Sequence, residues 1–219
     1  MDTQELNQKK IDGIDFIKKI DKEIEDDFIE NYKKLNIAGL TESFLIDLKI
    51  FEEILSDNED KLCCKFYFIQ QGTSLNLGLS FSDNEECPIK INNRIDDDIL
   101  YILENDSIVK KDFRDMKNDF MEAIGSKLPT HPENKKDTLI SYPLKDINSF
   151  LHEMKNSYPN IDRLKLSMFQ YSPNNINPSL SAHFTKRDKR IAFCVHVLFN
   201  KRKASYDQGD GYDLGNLRP

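Results

Sequence analysis

From position 179 to 199 hydrophobic and polar residues alternate with a period of two. Leu180, Ala182 and Phe184 share one side of a first predicted strand, and Ile191, Phe193, Val195, Val197 and Phe199 share one side of a second. The opposite side of this pair carries His183, Cys194 and His196. With a two-residue turn at Arg187-Asp188, His183 opposes Ala192 and His196 opposes Ser179, so the imidazoles stand roughly 13 Å apart at ~3.3 Å per residue. That is too far for one metal ion or a direct acid–base pair. Cys194 and His196 at i,i+2 resemble a Cys–His dyad, but no orienting Asp or Asn is identifiable, and the reading for His196 is a structural or partly solvated histidine.

Upstream, the period changes to that of a helix. Ile14, Ile17, Ile20, Ile24, Phe28 and Leu35 recur every three or four positions and predict an amphipathic helix over 11–35. A second helix is predicted from Thr41 to about Asp57, with Thr41 or Ser43 as N-cap and Leu45, Leu48, Phe51 and Leu55 as its stripe. Cys64, Phe66 and Phe68, then Leu75, Leu77, Leu79 and Phe81, alternate around Gln71-Gly72-Thr73 and predict a hairpin. Helical spacing returns over 95–103 and 108–124, with Asp106 as a cap and Gly125 and Pro129 as stop signals. A short strand over 137–141, a helix opening at Pro143 with Leu144, Ile147, Phe150, Leu151 and Met154 inward, and a strand over 163–170 complete the pattern. Residues 171–178, rich in Asn and Pro, cannot continue a sheet.

These elements predict an α+β fold. An acidic helical region with one hairpin occupies 1–129, a boundary loop 130–136, and a helix on a mainly antiparallel sheet 137–205; a Gly/Asp-rich tail follows over 206–219. Two stretches look like a diverged α-β-β repeat, the alternative being that any amphipathic helix followed by a hairpin matches in this way: Leu48, Phe51, Ile54 and Leu55 align with Leu144, Ile147, Phe150 and Leu151, and, allowing four extra residues, 64–70 then align with 164–170.

The hydrophobic content of 38% suffices for an ordinary core and argues against whole-chain disorder. No apolar run approaches the ~20 residues of a membrane span, and residues 1–10 are polar where a secretory signal needs an apolar stretch. The expected location is therefore the cytoplasm, or beyond it by a route that needs no cleaved signal. The net charge of −7 is unevenly distributed: 32 acidic and 20 basic residues over 1–150 give −12, and 6 acidic and 11 basic over 151–219 give +5. Such an asymmetry steers a charged partner or draws the two halves together.

Little of the remaining chemistry survives scrutiny. Cys63, Cys64, Cys87 and Cys194 show no C-x-x-C spacing and read as reduced, buried thiols rather than as a zinc or disulfide framework. His183-Phe184-Thr185 has the H-x-T spacing of two-histidine phosphoesterases, but these need a second copy, and neither His131, His152 nor His196 supplies one. Asp207, Asp210 and Asp213 are interleaved with glycines but lack the ligand alternation and the bidentate Glu of a calcium loop, so a solvated Gly-rich turn is favoured. Lys186, Arg187, Lys189 and Arg190 at the predicted turn, and Lys201, Arg202 and Lys203 beyond it, are the candidate contacts of a nucleic-acid-binding reading, with Phe169, Tyr171 and Tyr206 as stacking partners. The two clusters are separated by roughly 30 Å of strand and read as solubilising charges. The sequence thus favours a non-catalytic protein that binds a protein partner, such as an immunity, antitoxin-like or regulatory factor. The alternatives are nucleic-acid binding through the basic hairpin, or an enzyme whose site no spacing rule reveals. No cofactor, metal site or membrane association is expected, and the partner's identity and the oligomeric state are left open.

Overall fold

The computed structural model describes residues 18–84, 99–129, 139–158, 160–172, 187–202, 205–213 and 216–218. In chain order they form β1 (Lys18–Lys19), α1 (Lys22–Lys34), β2 (Ser43–Asp47), α2 (Leu48–Asp57), β3 (Cys63–Gln71), β4 (Ser74–Ser82), β5 (Leu100–Glu104), β6 (Ser107–Lys110), α3 (Arg114–Glu122) and α4 (Ile124–Lys127). There follow β7 (Leu139–Pro143), α5 (Leu144–Ser157), β8 (Ile161–Gln170), β9 (Ile191–Arg202), β10 (Ser205–Gln208), β11 (Tyr212–Asp213) and β12 (Asn216–Arg218). The fold is α+β. Sheet 1 has the order β1-β11-β9-β8-β2 with β10 also on β9, and sheet 2 the order β12-β7-β3-β4-β5-β6, all described pairings being antiparallel.

The expected repeat is present and longer by one strand. β2-α2-β3-β4 and β7-α5-β8-β9 share one order, and each gives its first strand to the other's sheet: β2 lies beside β8, and β7 beside β3. The registers coincide. Leu166 faces Phe44 where Phe66 faces Ile140, and Arg163 faces Asp47 where Cys63 faces Pro143. The regions on either side of 130–136 are therefore interleaved, and the tail over 206–219 supplies β11 and β12 to both sheets.

The inner faces meet directly. Phe193 of sheet 1 stacks edge-on against Phe66 of sheet 2 with ring centroids 5.3 Å apart, and Tyr142 lies 6.0 Å from Phe193. Leu48, Phe51, Ile54 and Leu55 of α2 and Leu144, Ile147, Phe150 and Leu151 of α5 are all buried in this same core. Each outer face is covered by a helix as well: α1 lies on β8 and α3 on β3.

Three expectations are corrected. Residues 43–47 are a strand, not the first turns of a helix, because Phe44 and Ile46 are buried in register against β8; Asp47 is the true N-cap, accepting from Ile50 N at 3.0 Å. Residues 100–110 form the hairpin β5–β6 rather than helix. Asn105 and Asp106, at φ 51° and 64°, make its turn, as Asn and Asp do in two-residue hairpin loops. Finally, β9 is not simply the second arm of a hairpin: it lies between β8 on one side and β10 and β11 on the other, with Ala192 facing Phe169 and His196 facing Lys165. The predicted partner strand, with His183, lies outside the described residues, as do residues 11–17 and 130–138.

Candidate functional site

Period-two geometry puts Ala192, Cys194 and His196 on the outer side of β9, opposite the inward Phe193, Val195 and Val197. That outer side is not open to solvent, because α1 covers it. Glu25, Phe28 and Tyr32 fall at i, i+3 and i+7 of α1 and are all buried. Phe28 stacks on Phe169 at 5.5 Å and meets Tyr171 edge-on at 5.5 Å, which seats the helix on β8. One turn earlier the same stripe delivers Glu25 to His196.

Glu25, Cys194 and His196 are 2%, 0% and 1% exposed. His196 Nε2 lies 3.3 Å from Cys194 Sγ and 3.1 Å from Glu25 Oε1, while Nδ1 lies 3.1 Å from the Gly209 carbonyl. A carbonyl only accepts, so Nδ1 carries a hydrogen and Nε2 is the nitrogen turned toward the thiol and the carboxylate. The Gly209–Gly211 segment closes the group from the tail. A Cβ at Gly211 would sit 2.2 Å from Glu25 Oε2 and 2.8 Å from His196 Cε1, so a side chain there would have to displace the carboxylate and the ring. Gly209 N donates to Val197 O at 2.9 Å, and Ile20 N to Gly211 O at 2.9 Å, which ties the segment to β9 and to the start of α1.

Burial by itself drives the Glu25 carboxyl upward. The His196 ring 3.1 Å from it and the Lys22 ammonium at 3.5 Å outweigh this and hold the group below the usual carboxylate range. Among the described residues this is the group whose His, Cys and acidic donor atoms converge on one point. It is not a nucleophilic triad, since thiol and carboxylate share one ring nitrogen where a triad engages the two nitrogens separately. Sequence reading paired Cys194 with His196 but missed the third member. Its one signal was a charged residue, Glu25, in the same helical stripe as Phe28.

A second feature is a cleft of about 550 Å³ lined by Ser43, Leu45, Gln71, Asn76, Glu104 and Asp106, among others. β2 is the edge of sheet 1, and the bond from Met168 N to Glu42 O fixes which of its residues turn toward β8. By alternation the backbone groups of Ser43 and Leu45 point away from β8 into this cleft. At its end, Asp47 N donates to Asp106 O at 3.0 Å.

The other candidates are placed as follows. Cys63 and Cys64 are buried and not disulfide-bonded, and Cys87 lies outside the described residues. Asp210 pairs with Lys19 at 2.8 Å, and among the described residues neither it nor Asp207 belongs to a converging ligand group; the side chain of Asp213 lies outside them. His152 is exposed on α5. Arg187 donates to the Tyr171 hydroxyl at 2.9 Å with its guanidinium 5.5 Å from that ring, while Lys189 and Arg190 share its turn. Lys186 and Lys203 lie outside the described residues, as do the side chains of Lys201, Arg202 and Tyr206. Phe169 and Tyr171, expected as base-stacking partners, are buried beneath Phe28 and present no face to a base. Among the described residues no helix is long and apolar enough to cross a membrane.

Compared with protein-family models, curated proteins and solved structures, the chain matches none.

Proposed function

We propose that this protein acts by binding a protein partner in the cytoplasm, taking an extended, basic segment of that partner along the edge of β2. The observation that carries this reading is the outward edge of Ser43 and Leu45, unpaired among the described residues and set in a cleft that Glu104 and Asp106 also line. A strand added there gains main-chain hydrogen bonds, and Glu104 selects for Lys and Arg, Asp106 being held by Arg163 at 3.2 Å. The acidic balance of residues 1–150 favours the same partner chemistry over long range. An immunity, antitoxin-like or regulatory factor works in this way, by occupying a partner rather than by turning over a substrate.

The test is affinity capture from the native cell with nuclease treatment in parallel, using wild type, Leu45→Pro and Glu104→Lys. Proline at position 45 removes a donor that faces the cleft and leaves the ladder to β8 intact. A stoichiometric protein retained by wild type through nuclease treatment and lost by both folded variants supports the reading. Retention by Leu45→Pro overturns the edge, and nuclease-sensitive capture moves the function to nucleic acid.

A further inference from the structure

The Glu25–Cys194–His196 group has an arrangement that a single proton does not complete. Nε2 and Oε1 approach to 3.1 Å, a distance that two electron-rich atoms hold only with a hydrogen or a cation between them. A hydrogen on Nε2 lies in the ring plane and is directed to Cys194 Sγ, 3.3 Å away, so it serves the sulfur. Oε1 is fully buried and receives no hydrogen bond. Lys22 stands 3.5 Å from it, but that exposed ammonium makes its short contact, at 2.7 Å, with Asp26.

We infer that Glu25, Cys194 and His196 bind one thiophilic divalent cation of the zinc type, joining α1 to β9. Zinc takes sulfur at ~2.3 Å and nitrogen or oxygen at ~2.0–2.1 Å, which at tetrahedral angles sets the donors about 3.3–3.6 Å apart. The observed 3.3 and 3.1 Å need to open by only a few tenths of an ångström. The ring is already fixed for this, because the Gly209 carbonyl holds the Nδ1 hydrogen and leaves Nε2 as the coordinating atom. Charge also balances in a buried site: thiolate and carboxylate together carry −2 and the ion +2, with imidazole neutral. On binding, the thiol proton and any proton on Nε2 leave to solvent, and the fourth position goes to a water. Hard cations such as calcium are disfavoured by the sulfur and nitrogen donors. The ion would pin α1 and the Gly209–Gly211 segment to sheet 1, and metal availability would set how firmly they are held.

The test uses the full chain, metal-depleted and then titrated with Zn²⁺ or Co²⁺ alone. One ion per chain is expected, with a raised melting temperature and, for Co²⁺, a thiolate-to-cobalt absorption band with visible bands of tetrahedral intensity. Glu25→Gln weakens binding by about 10–100-fold or more, a loss of at least the size caused by removing an outer-shell partner. Cys194→Ala abolishes the thiolate band, and the double variant Cys63→Ala/Cys64→Ala retains it. Should Glu25→Gln or Cys194→Ala fail to fold, X-ray absorption at zinc in wild type decides, with one sulfur and two or three nitrogen or oxygen neighbours expected. Absence of stoichiometric binding to folded wild type overturns the inference. So does a thiolate band that survives Cys194→Ala, or a zinc shell without sulfur.

Discussion

Under α3, the outer face of sheet 2 is sealed by Tyr67, Ile69, Leu100, Ile102, Phe113 and Leu139; under α1, the equivalent face of sheet 1 closes over Glu25, Cys194 and His196. The two faces are built on matching frames. Lys65 faces Ser80 as Lys165 faces His196, and Tyr67 faces Gly78 as Ser167 faces Cys194. His196 thus occupies the place of Ser80, and Cys194 that of Gly78. Each cover also buries one charge from its helix. Lys117 lies over the Tyr67 ring, 5.7 Å from its centroid, whereas Glu25 meets an imidazole. The cation over a ring is worth about 0.5–2 kcal/mol. Breaking a buried ion pair costs more, because it strands a charge. The repeated frame therefore accounts for the fold, and the departure from the repeat for the site.

The largest expected effect lies on the shared inner faces and tests whether the frames are equivalent. Phe193→Ala empties a position between Phe66 and Tyr142 and should cost on the order of 3–5 kcal/mol, with its register counterpart Leu77→Ala at about 2–5 kcal/mol. Urea unfolding measures both, and near-silence at either position breaks the equivalence.

His196→Ala sharpens the difference between the outer faces. It leaves Glu25 buried without its imidazole partner and should cost about 3 kcal/mol or more, against about 1 kcal/mol for Ser80→Ala. Combining it with Glu25→Gln should recover part of that loss in a double-mutant cycle. The pH dependence has a definite sign. Because Glu25 titrates below its ordinary value of 4.5, the stability contributed by its ionisation is complete above that pH and falls as pH drops through the lower folded value. Glu25→Gln should therefore lose less stability than wild type in urea titrations below pH 4.5.

Gly78→Ala probes the apolar cover. Its Cβ would meet the Phe113 ring at 2.8 Å, and the expected cost is about 1–3 kcal/mol. Cys194 at the matching place faces Ser167 where Gly78 faces Tyr67. No loss on urea unfolding would show that α3 shifts freely.

The smallest effect concerns the basic turn. Arg187 is engaged by Tyr171, and the stacking surfaces beside it are buried, so wild type should bind generic DNA or RNA no more tightly than about 100 µM near physiological salt. Replacing Lys186, Arg187, Lys189 and Arg190 with Gln should change that affinity little. Micromolar binding in fluorescence anisotropy, lost in that variant, would transfer function from the acidic region to the basic one.

How much of this was legible in the sequence varies by element. Where one side chain pattern had one interpretation, as in the inward row of β9, in α5 and in the hairpin of β3 and β4, periodicity sufficed. Positions 43–47 and 100–110 were misread because short apolar runs satisfy either period, and the choice fell to pairing with β8 and to the Asn105-Asp106 turn. The repeat was visible in its helices, but its first strand was not, since that strand is completed by the opposite copy.

What the sequence alone determined is local: the α+β class, the faces of the long strands, the burial of Cys63, Cys64 and Cys194, and the pairing of Cys194 with His196 on one side of a strand. Tertiary structure decided the rest. Glu25 and His196 are far apart along the chain, and no spacing rule links a helix stripe to the back of a distant strand. They meet because α1 must bury Phe28 and Tyr32 somewhere, and the uncovered apolar surface of Phe169 and Tyr171 lies one helical turn from the imidazole.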